Sequence, residues 1–311
     1  MNQLNALHVC TPLIESRPLS QWLGKQVFLK MENMQPTGSF KIRGIGRLCQ
    51  QGQTDGVTRF VASSGGNAGY AAAYAGRKLN IPTTVLVPST TSPAFRAQIA
   101  AQGAEVSVAG DVWDETHAAA LCLAQETQAL YIPPFDHPLI WQGNSTLVDE
   151  IATDIGQPDA VILSVGGGGL LCGVVEGLQR HHWGNTPVLA VETEGTASLA
   201  ASMKHGRLVT LDKITGVAKT LGAKTVAEQA LTYTQQHPVY SAVVTDDQAM
   251  QACLDFADEH KCLVEAACGA SLAAAYQGHP ALAKAKVMVL IVCGGIGVNL
   301  EMLQTWRDSL I

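Results

Sequence analysis

The sequence predicts an α/β protein of two domains, each a mostly parallel twisted sheet flanked by helices. Apolar, β-branched runs alternate with alanine-rich stretches of helical period, which is the pattern of successive βαβ units. Three glycine-rich segments each follow an apolar run, where open α/β sheets collect ligands at the carboxyl ends of their strands. The 311 residues suffice for about two ordinary domains.

Strands are expected at 26–31 (QVFLKM), 59–63 (RFVAS), 83–88 (TTVLVP), 104–110 (AEVSVAG), 159–165 (DAVILSV), 186–192 (TPVLAVE), 238–244 (PVYSAVV) and 287–293 (VMVLIVC). Parallel pairing covered on both faces accounts for their near-continuous apolar character. Helices are expected at 67–79, 92–102 and 247–260, among others. Residues 131–143 (YIPPFDHPLIWQG), rich in proline and aromatics, read as a loop crossing between domains.

Composition excludes several classes of function. Twenty basic and twenty-six acidic side chains give a charge of −6 without a basic cluster, so nucleic acid is not an expected partner. The first residues lack the basic start and apolar core of a signal peptide, and the longest apolar run is too short to span a bilayer. A cytoplasmic protein without a membrane partner is expected. Eight cysteines form no Cys-x-x-Cys pair, which argues against structural zinc and a disulfide frame. Most read as small buried hydrophobes.

The first glycine segment, VASSGGNAGYAAA, sets Ser63, Ser64, Gly65, Gly66 and Asn67 where a strand turns into a helix. Hydroxyls, an amide and backbone N–H groups there suit a small carboxylate, although a tight βα turn would use the same glycines. The second, SVGGGGLLCGVV, has glycine at 166 to 169 at a helix start, with no Lys or Arg in the loop. Backbone dipoles must then hold the anion, and a phosphate monoester is the natural guest. A dinucleotide fingerprint requires glycine at 171 and meets Leu171; a nucleotide P-loop requires Gly-Lys-Ser/Thr, and none is present. The third, LIVCGGIGVNL, leaves Cys293 at the mouth of the sheet, either as a core thiol or as a weak hydrogen-bonding partner for a ligand heteroatom.

Lys41 stands behind the small-residue turn TGSF at an apparent helix start. The positive field of a helix N-terminus favours the neutral, nucleophilic amine. An amine, a phosphate cradle and an electron sink are what Schiff-base chemistry needs, and the sink is normally pyridoxal phosphate.

HVCTPLIES, KMENMQPTGSFKIRGIG, SSGGNAGYAAAYAGRKL, VPSTT, YIPPFDHPLIWQGNSTLVDE, SVGGGGLLCGVV, KITGVAKTLGAKTV, LVEAACGAS and LIVCGGIGVNL run through nearly the whole chain. On these segments the sequence resembles the serine dehydratase family of pyridoxal-phosphate enzymes, of fold type II (tryptophan synthase β-like). The resemblance implies a small domain of residues 36–137 and a large domain made of 1–35 and 138–311. It implies β-elimination of L-serine and L-threonine to pyruvate and 2-oxobutyrate with release of ammonia, in amino-acid breakdown, by a homodimer acting on a small amino acid.

Residue by residue, the resemblance makes Lys41 the Schiff-base lysine and sets Phe40 against the pyridine ring. Gly166, Gly167, Gly168, Gly169 and Leu170 would hold the cofactor phosphate, Asn67 the ring 3′-oxygen, and Cys293 the ring nitrogen. Ser63, Ser64, Gly65, Asn67 and Ala68 would take the substrate carboxylate. A monovalent cation such as potassium would fall near Gly166, Glu192, Thr196, Leu221 and Ala223. At position 65 many serine dehydratases carry alanine and related racemases serine. Gly65 therefore disfavours racemisation and is expected to leave slack beside the substrate. The alternatives are a β-replacement enzyme of the cysteine synthase type and a weakly active protein that binds the amino acid or the cofactor.

Overall fold

The computed structural model describes residues 6–310. Its strands are β1 (Leu13–Glu15), β2 (Gln26–Lys30), β3 (Phe60–Ser63), β4 (Thr83–Val87), β5 (Glu105–Val108), β6 (Leu130–Ile132), β7 (Ala160–Ser164), β8 (Val188–Thr193), β9 (Val239–Val244) and β10 (Val287–Ile291). The chain divides into two compact units. One comprises Gln35–Asn144 with the segment ending at Val9, and the other Cys10–Met34 with the chain from Ser145 onward.

In the first unit four parallel strands run in the order β5-β4-β3-β6. The period-2 geometry of β3 decides what each face buries. Phe60 and Ala62 face the helices Lys41–Thr54 and Asn67–Leu79, packing with Ile42, Ile45, Ala71, Ala72 and Ala75. Val61 faces the other layer, with Leu86 of β4 and with Ala120 and Ala124 of the helix Trp113–Glu126. Two covered faces explain why all five residues of β4 are buried and show no polar alternation. Burying Phe60 contributes about 1.5–3 kcal/mol, and Phe60→Ala would leave a cavity costing about 3–5 kcal/mol.

The second unit carries six strands in the order β1-β2-β10-β7-β8-β9, all parallel except β1, which runs antiparallel to β2. Every residue of β7 and β8 is buried. The helix Ala266–Tyr276 is buried from Ala266 to Ala275. Its small side chains let neighbouring backbones approach: a Cβ on Gly269 would come within 2.6 Å of Cys253 Sγ on the helix Asp246–His260.

Three elements differ from the sequence reading. β1 is a three-residue edge strand, too short to show a period. β6 ends at Ile132, just before the Pro133-Pro134 pair that dominates its neighbourhood. Beyond it, PLIWQG opens the helix Pro138–Asp154. Pro138 suits a helix start because its missing N–H has no partner to lose. Gly143 serves close helix packing, since a Cβ there would meet the Gly44 Cα at 2.6 Å. Among the described residues no helix is long and apolar enough to cross a membrane.

Candidate active site

In the first unit Lys41 is the first residue of its helix, with Phe40 at the preceding cap position. The amine donates to the Pro134 carbonyl at 2.7 Å and lies 5.3 Å from the Phe40 ring centroid. The proline-rich segment after β6 therefore orients this side chain, a role its composition alone does not reveal.

Ser63 ends β3, and the turn through Gly66 opens the thirteen-residue helix Asn67–Leu79 without a side-chain cap at Gly66. Ser63 is wholly buried and Ala68 nearly so, while Ser64, Gly65, Gly66 and Asn67 are half-buried. The Ser64 hydroxyl accepts from the Gly66 N–H at 3.2 Å. A helix N-terminus with hydroxyls around it suits a carboxylate. Gly65 does not border empty space: Thr91 fills the volume its side chain would take, with Thr91 Cγ2 2.8 Å from the Cβ position. The expected slack is absent. Thr91 is held in turn by Arg96, whose Nε donates to its carbonyl at 2.8 Å.

In the second unit the segment after β7 carries Gly166 to Gly168 into the helix Gly169–Arg180, again with no side-chain cap. Gly168 adopts φ +89°, and a Cβ there would stand 2.6 Å from Ala230 Cβ and 2.9 Å from Val226 Cγ2. The Gly167 carbonyl accepts from the Ala227 N–H at 3.0 Å. The loop carries no side chains of its own, and a Cβ at Gly166 or Gly168 would press against Leu221 or against Ala230 and Val226.

Cys293 follows β10 and is 6% exposed. A hydrogen bond with Cys268, and then burial, push its thiol well above the usual range, so it stays protonated. Glu265 braces the loop beyond it, accepting from the Gly297 N–H at 2.7 Å and from Thr220 Oγ1 at 2.8 Å. These residues suit pyridoxal phosphate: an amine at a helix start, a Cβ-free helix N-terminus for a phosphate, and a neutral S–H for a ring nitrogen.

The residues expected at a cation site also lie in the second unit. The Leu221 Cα stands 3.0 Å from the point a Gly166 Cβ would occupy, and the Leu221 carbonyl accepts from the Ala223 N–H at 2.7 Å. Thr196 Oγ1 pairs with Thr193 Oγ1 at 2.9 Å. Glu192 is fully buried on β8, its carboxylate accepting from the Leu199 and Ala200 N–H groups at 2.8 and 2.7 Å. Burial pushes it up to about 7 against the pull of those two bonds. Among the described residues no cluster of three or more His, Cys, Asp or Glu could hold a metal ion.

Several residues around these loops lie in or near segments singled out in the sequence but receive no role from it. Thr91, Pro134, Cys268 and Glu265 reach them only through the fold. So do Trp113, His117 and Tyr131, of which only the four-residue spacing of Trp113 and His117 on one helix face is visible in the sequence.

The chain matches the family model described as pyridoxal-phosphate dependent enzyme over residues 5–294. It is 47% identical to human L-serine dehydratase/L-threonine deaminase, across 98% of this chain and 96% of the relative. It is 48% identical to the human serine dehydratase-like protein, across 97% and 95%. The crystal structure of an L-serine ammonia-lyase from the fungus Rhizomucor miehei superposes with a TM-score of 0.92 at 39% identity, covering 98% of this chain and 99% of the other.

Proposed function

Because the chain belongs to the pyridoxal-phosphate dependent enzymes, we propose that it eliminates water from L-serine and L-threonine, yielding ammonia with pyruvate or 2-oxobutyrate. When bound, pyridoxal phosphate supplies the electron sink for charge that develops at the substrate Cα. Lys41 is the cofactor's covalent anchor and the base that takes the Cα proton. Phe40 would flank the ring of a bound cofactor, and Asn67 would donate to its 3′-oxygen. Gly166, Gly167, Gly168, Gly169 and Leu170 hold the phosphate at a helix N-terminus. Ser63, Ser64, Gly65, Asn67 and Ala68 receive the substrate carboxylate.

Cys293 sets the character of the ring nitrogen. A thiol held protonated offers a weak S–H donor and keeps its proton, so it would leave the ring nitrogen of a bound cofactor neutral and the sink moderate. A moderate sink favours loss of the β-hydroxyl over reprotonation elsewhere.

The Gly166, Leu221 and Ala223 carbonyls, with Glu192 and Thr196, would hold a monovalent cation, potassium being the candidate. A cation there would offset the burial of Glu192, and its carboxylate would keep the two backbone bonds while offering its remaining lone pairs. Replacing potassium with tetramethylammonium should lower activity and Tm together. The protein acts as a cytoplasmic homodimer in this reading, which analytical ultracentrifugation tests for the dimer.

The observation that carries the proposal is Lys41, an amine on the first residue of a helix and turned to the Pro134 carbonyl, within this family's sequence. The test is keto-acid formation from L-serine and L-threonine by the wild-type protein and by Lys41→Ala. The wild type should form both keto acids, and Lys41→Ala should lose at least about a thousandfold. A product that appears only when a thiol is added would instead favour β-replacement.

A further inference from the structure

β7 and β10 are parallel neighbours in the register Val161↔Val289, so the segments that follow them leave the same end of the sheet side by side. One is the glycine loop from Gly166, and the other carries Cys293. Glu265 is the cap residue of the helix Ala266–Tyr276, but its side chain makes no cap bond to that helix, which leaves its carboxylate for other partners. One oxygen accepts from the Gly297 N–H at 2.7 Å and the other from Thr220 Oγ1 at 2.8 Å.

The loop after β10 is shaped around that buried carboxylate. Gly294 and Gly295 adopt φ +94° and +139°, where a side chain is strained. A Cβ on Gly295 would overlap Glu265 Cγ and Cδ. Cys268, one turn along the helix that Glu265 caps, hydrogen-bonds with Cys293, so this helix start holds the loop at two points. On the other side, Thr220 belongs to the helical turn Lys219–Leu221. Leu221 packs its backbone on the glycine loop: a Cβ at Gly166 would stand 3.0 Å from the Leu221 Cα and 3.1 Å from its carbonyl oxygen. One carboxylate therefore bridges the Cys293 loop to the glycine loop by way of Thr220 and Leu221.

We infer that Glu265 and Thr220 are positioning residues that fix the spacing between the ring-nitrogen end and the phosphate end of the cofactor site. This rests on the reading of the two loops as the places of the ring nitrogen and the phosphate of pyridoxal phosphate. Both residues act through the loops they tie together. A ligand that spans both loops gains from their fixed spacing, because less ordering remains to be done when it binds. A ligand that engages one loop alone gains nothing from it. Loss of the bridge should therefore weaken the binding of pyridoxal phosphate and spare the binding of its separate halves.

The test measures the binding of three probes to the full chain freed of cofactor: pyridoxal phosphate, pyridoxal, and inorganic phosphate, the last by competition with pyridoxal phosphate. The variants are Thr220→Val, Thr220→Ser, Glu265→Leu and Glu265→Gln, with Tm to check that each is folded. Thr220→Val keeps the shape and loses the donor, whereas Thr220→Ser keeps the O–H. Glu265→Gln keeps an acceptor for the Gly297 N–H and offers an N–H to the Thr220 oxygen. Thr220→Val should raise the Kd for pyridoxal phosphate by about fivefold or more and leave those for pyridoxal and inorganic phosphate within about twofold of wild type. Glu265→Leu should raise the first by about tenfold or more, and Thr220→Ser and Glu265→Gln should recover most of each loss. An unchanged Kd for pyridoxal phosphate in Thr220→Val would overturn the inference. So would an equal loss for inorganic phosphate, which would make Thr220 a direct phosphate contact, or an equal loss for pyridoxal, which would mean general loosening. If Glu265→Leu does not fold, the Thr220 pair decides, because that residue is exposed. A wild type that binds no pyridoxal phosphate would overturn the cofactor reading and this inference with it. The predicted pattern in a protein that forms no keto acid from L-serine would support the inference and count against the lyase reading alone.

Discussion

The Thr91 Cβ lies 2.9 Å from the point where a Cβ on Gly65 would stand, and its Cγ2 and Oγ1 lie closer still. The small residue at 65 and the threonine one strand further along the chain therefore fill a single volume. Arg96 pins the threonine backbone by donating to the Thr91 and Ser89 carbonyls at 2.8 and 2.6 Å, so the crowding cannot be relieved by a loop shift without breaking those bonds.

Gly65→Ala should consequently destabilise the protein by about 1–3 kcal/mol, the usual cost of an extra methyl in a filled site. It should also raise the KM for L-serine by displacing the turn. Thr91→Ala in the same chain should recover most of both losses. Denaturant titration and steady-state kinetics on the two single variants and the double variant measure the coupling; simple additivity would mean that the two side chains do not compete for space.

Gly168→Ala confronts both backbone and packing. An L-residue at φ +89° is strained, and the new Cβ would overlap Ala230 and Val226. A loss of about 1–3 kcal/mol is expected, together with weaker retention of pyridoxal phosphate on dialysis. Retention equal to that of the wild type would remove this loop from the phosphate site.

Cys293→Ser keeps a neutral donor and should retain both cofactor and lyase activity. Cys293→Asp would put a carboxylate at a position 6% exposed, in the field of Glu265, and should cost about 3 kcal/mol or more as an unpaired buried charge. If cofactor is bound, it should also shift product partitioning from elimination toward transamination, measured as keto acid formed per cofactor converted to its amine form. Unchanged partitioning would contradict the neutral ring nitrogen.

Acid should destabilise the fold through its histidines. Burial holds His117, His137, His237 and His260 below the ordinary value of 6.5, against the opposing pull of Asp114 on His117, Asp136 on His137 and Glu259 on His260. At these four histidines the native state binds fewer protons than the unfolded chain, so their contribution is complete above 6.5 and lost as pH falls through the lower folded values, whereas the buried Glu192, pushed up to about 7, contributes in the opposite direction. The histidine part of the Tm profile should be level from about pH 7 to 8 and should decline below about 6.5. His237→Gln, which can still donate to the Thr186 carbonyl that Nε2 meets at 2.8 Å, should make the decline shallower. An identical slope would exclude His237 as a contributor.

Much of this architecture is legible one residue at a time. All eight long apolar runs become strands, and in β3, β4, β7, β8 and β10 two covered faces account for the apolar or small side chains at nearly every position. Lys41 at a helix start and the glycines before Gly169–Arg180 are local features, and the structure contains both. β6 and the helix after it were hidden because proline and Gly143 mark turns locally but here serve a helix start and a close helix crossing. Thr91 beside Gly65, and Tyr131 and His117 beside Ser63, were hidden for another reason. Thr91 meets Gly65, Tyr131 meets Ser63 and His117 meets Tyr131 through strand pairing and helix packing across 26, 68 and 14 positions, where no sequence period operates.

The central claim is that Lys41 carries pyridoxal phosphate and that the loaded protein deaminates L-serine. The most direct measurement records the visible absorbance of the purified protein before and after L-serine, with lactate dehydrogenase and NADH present to report pyruvate. The wild type should show a cofactor band that responds to L-serine while NADH is consumed, and Lys41→Ala should lose the band after dialysis. A wild-type protein that shows no such band after incubation with pyridoxal phosphate, or that holds the cofactor and forms no keto acid from either L-serine or L-threonine, would contradict it.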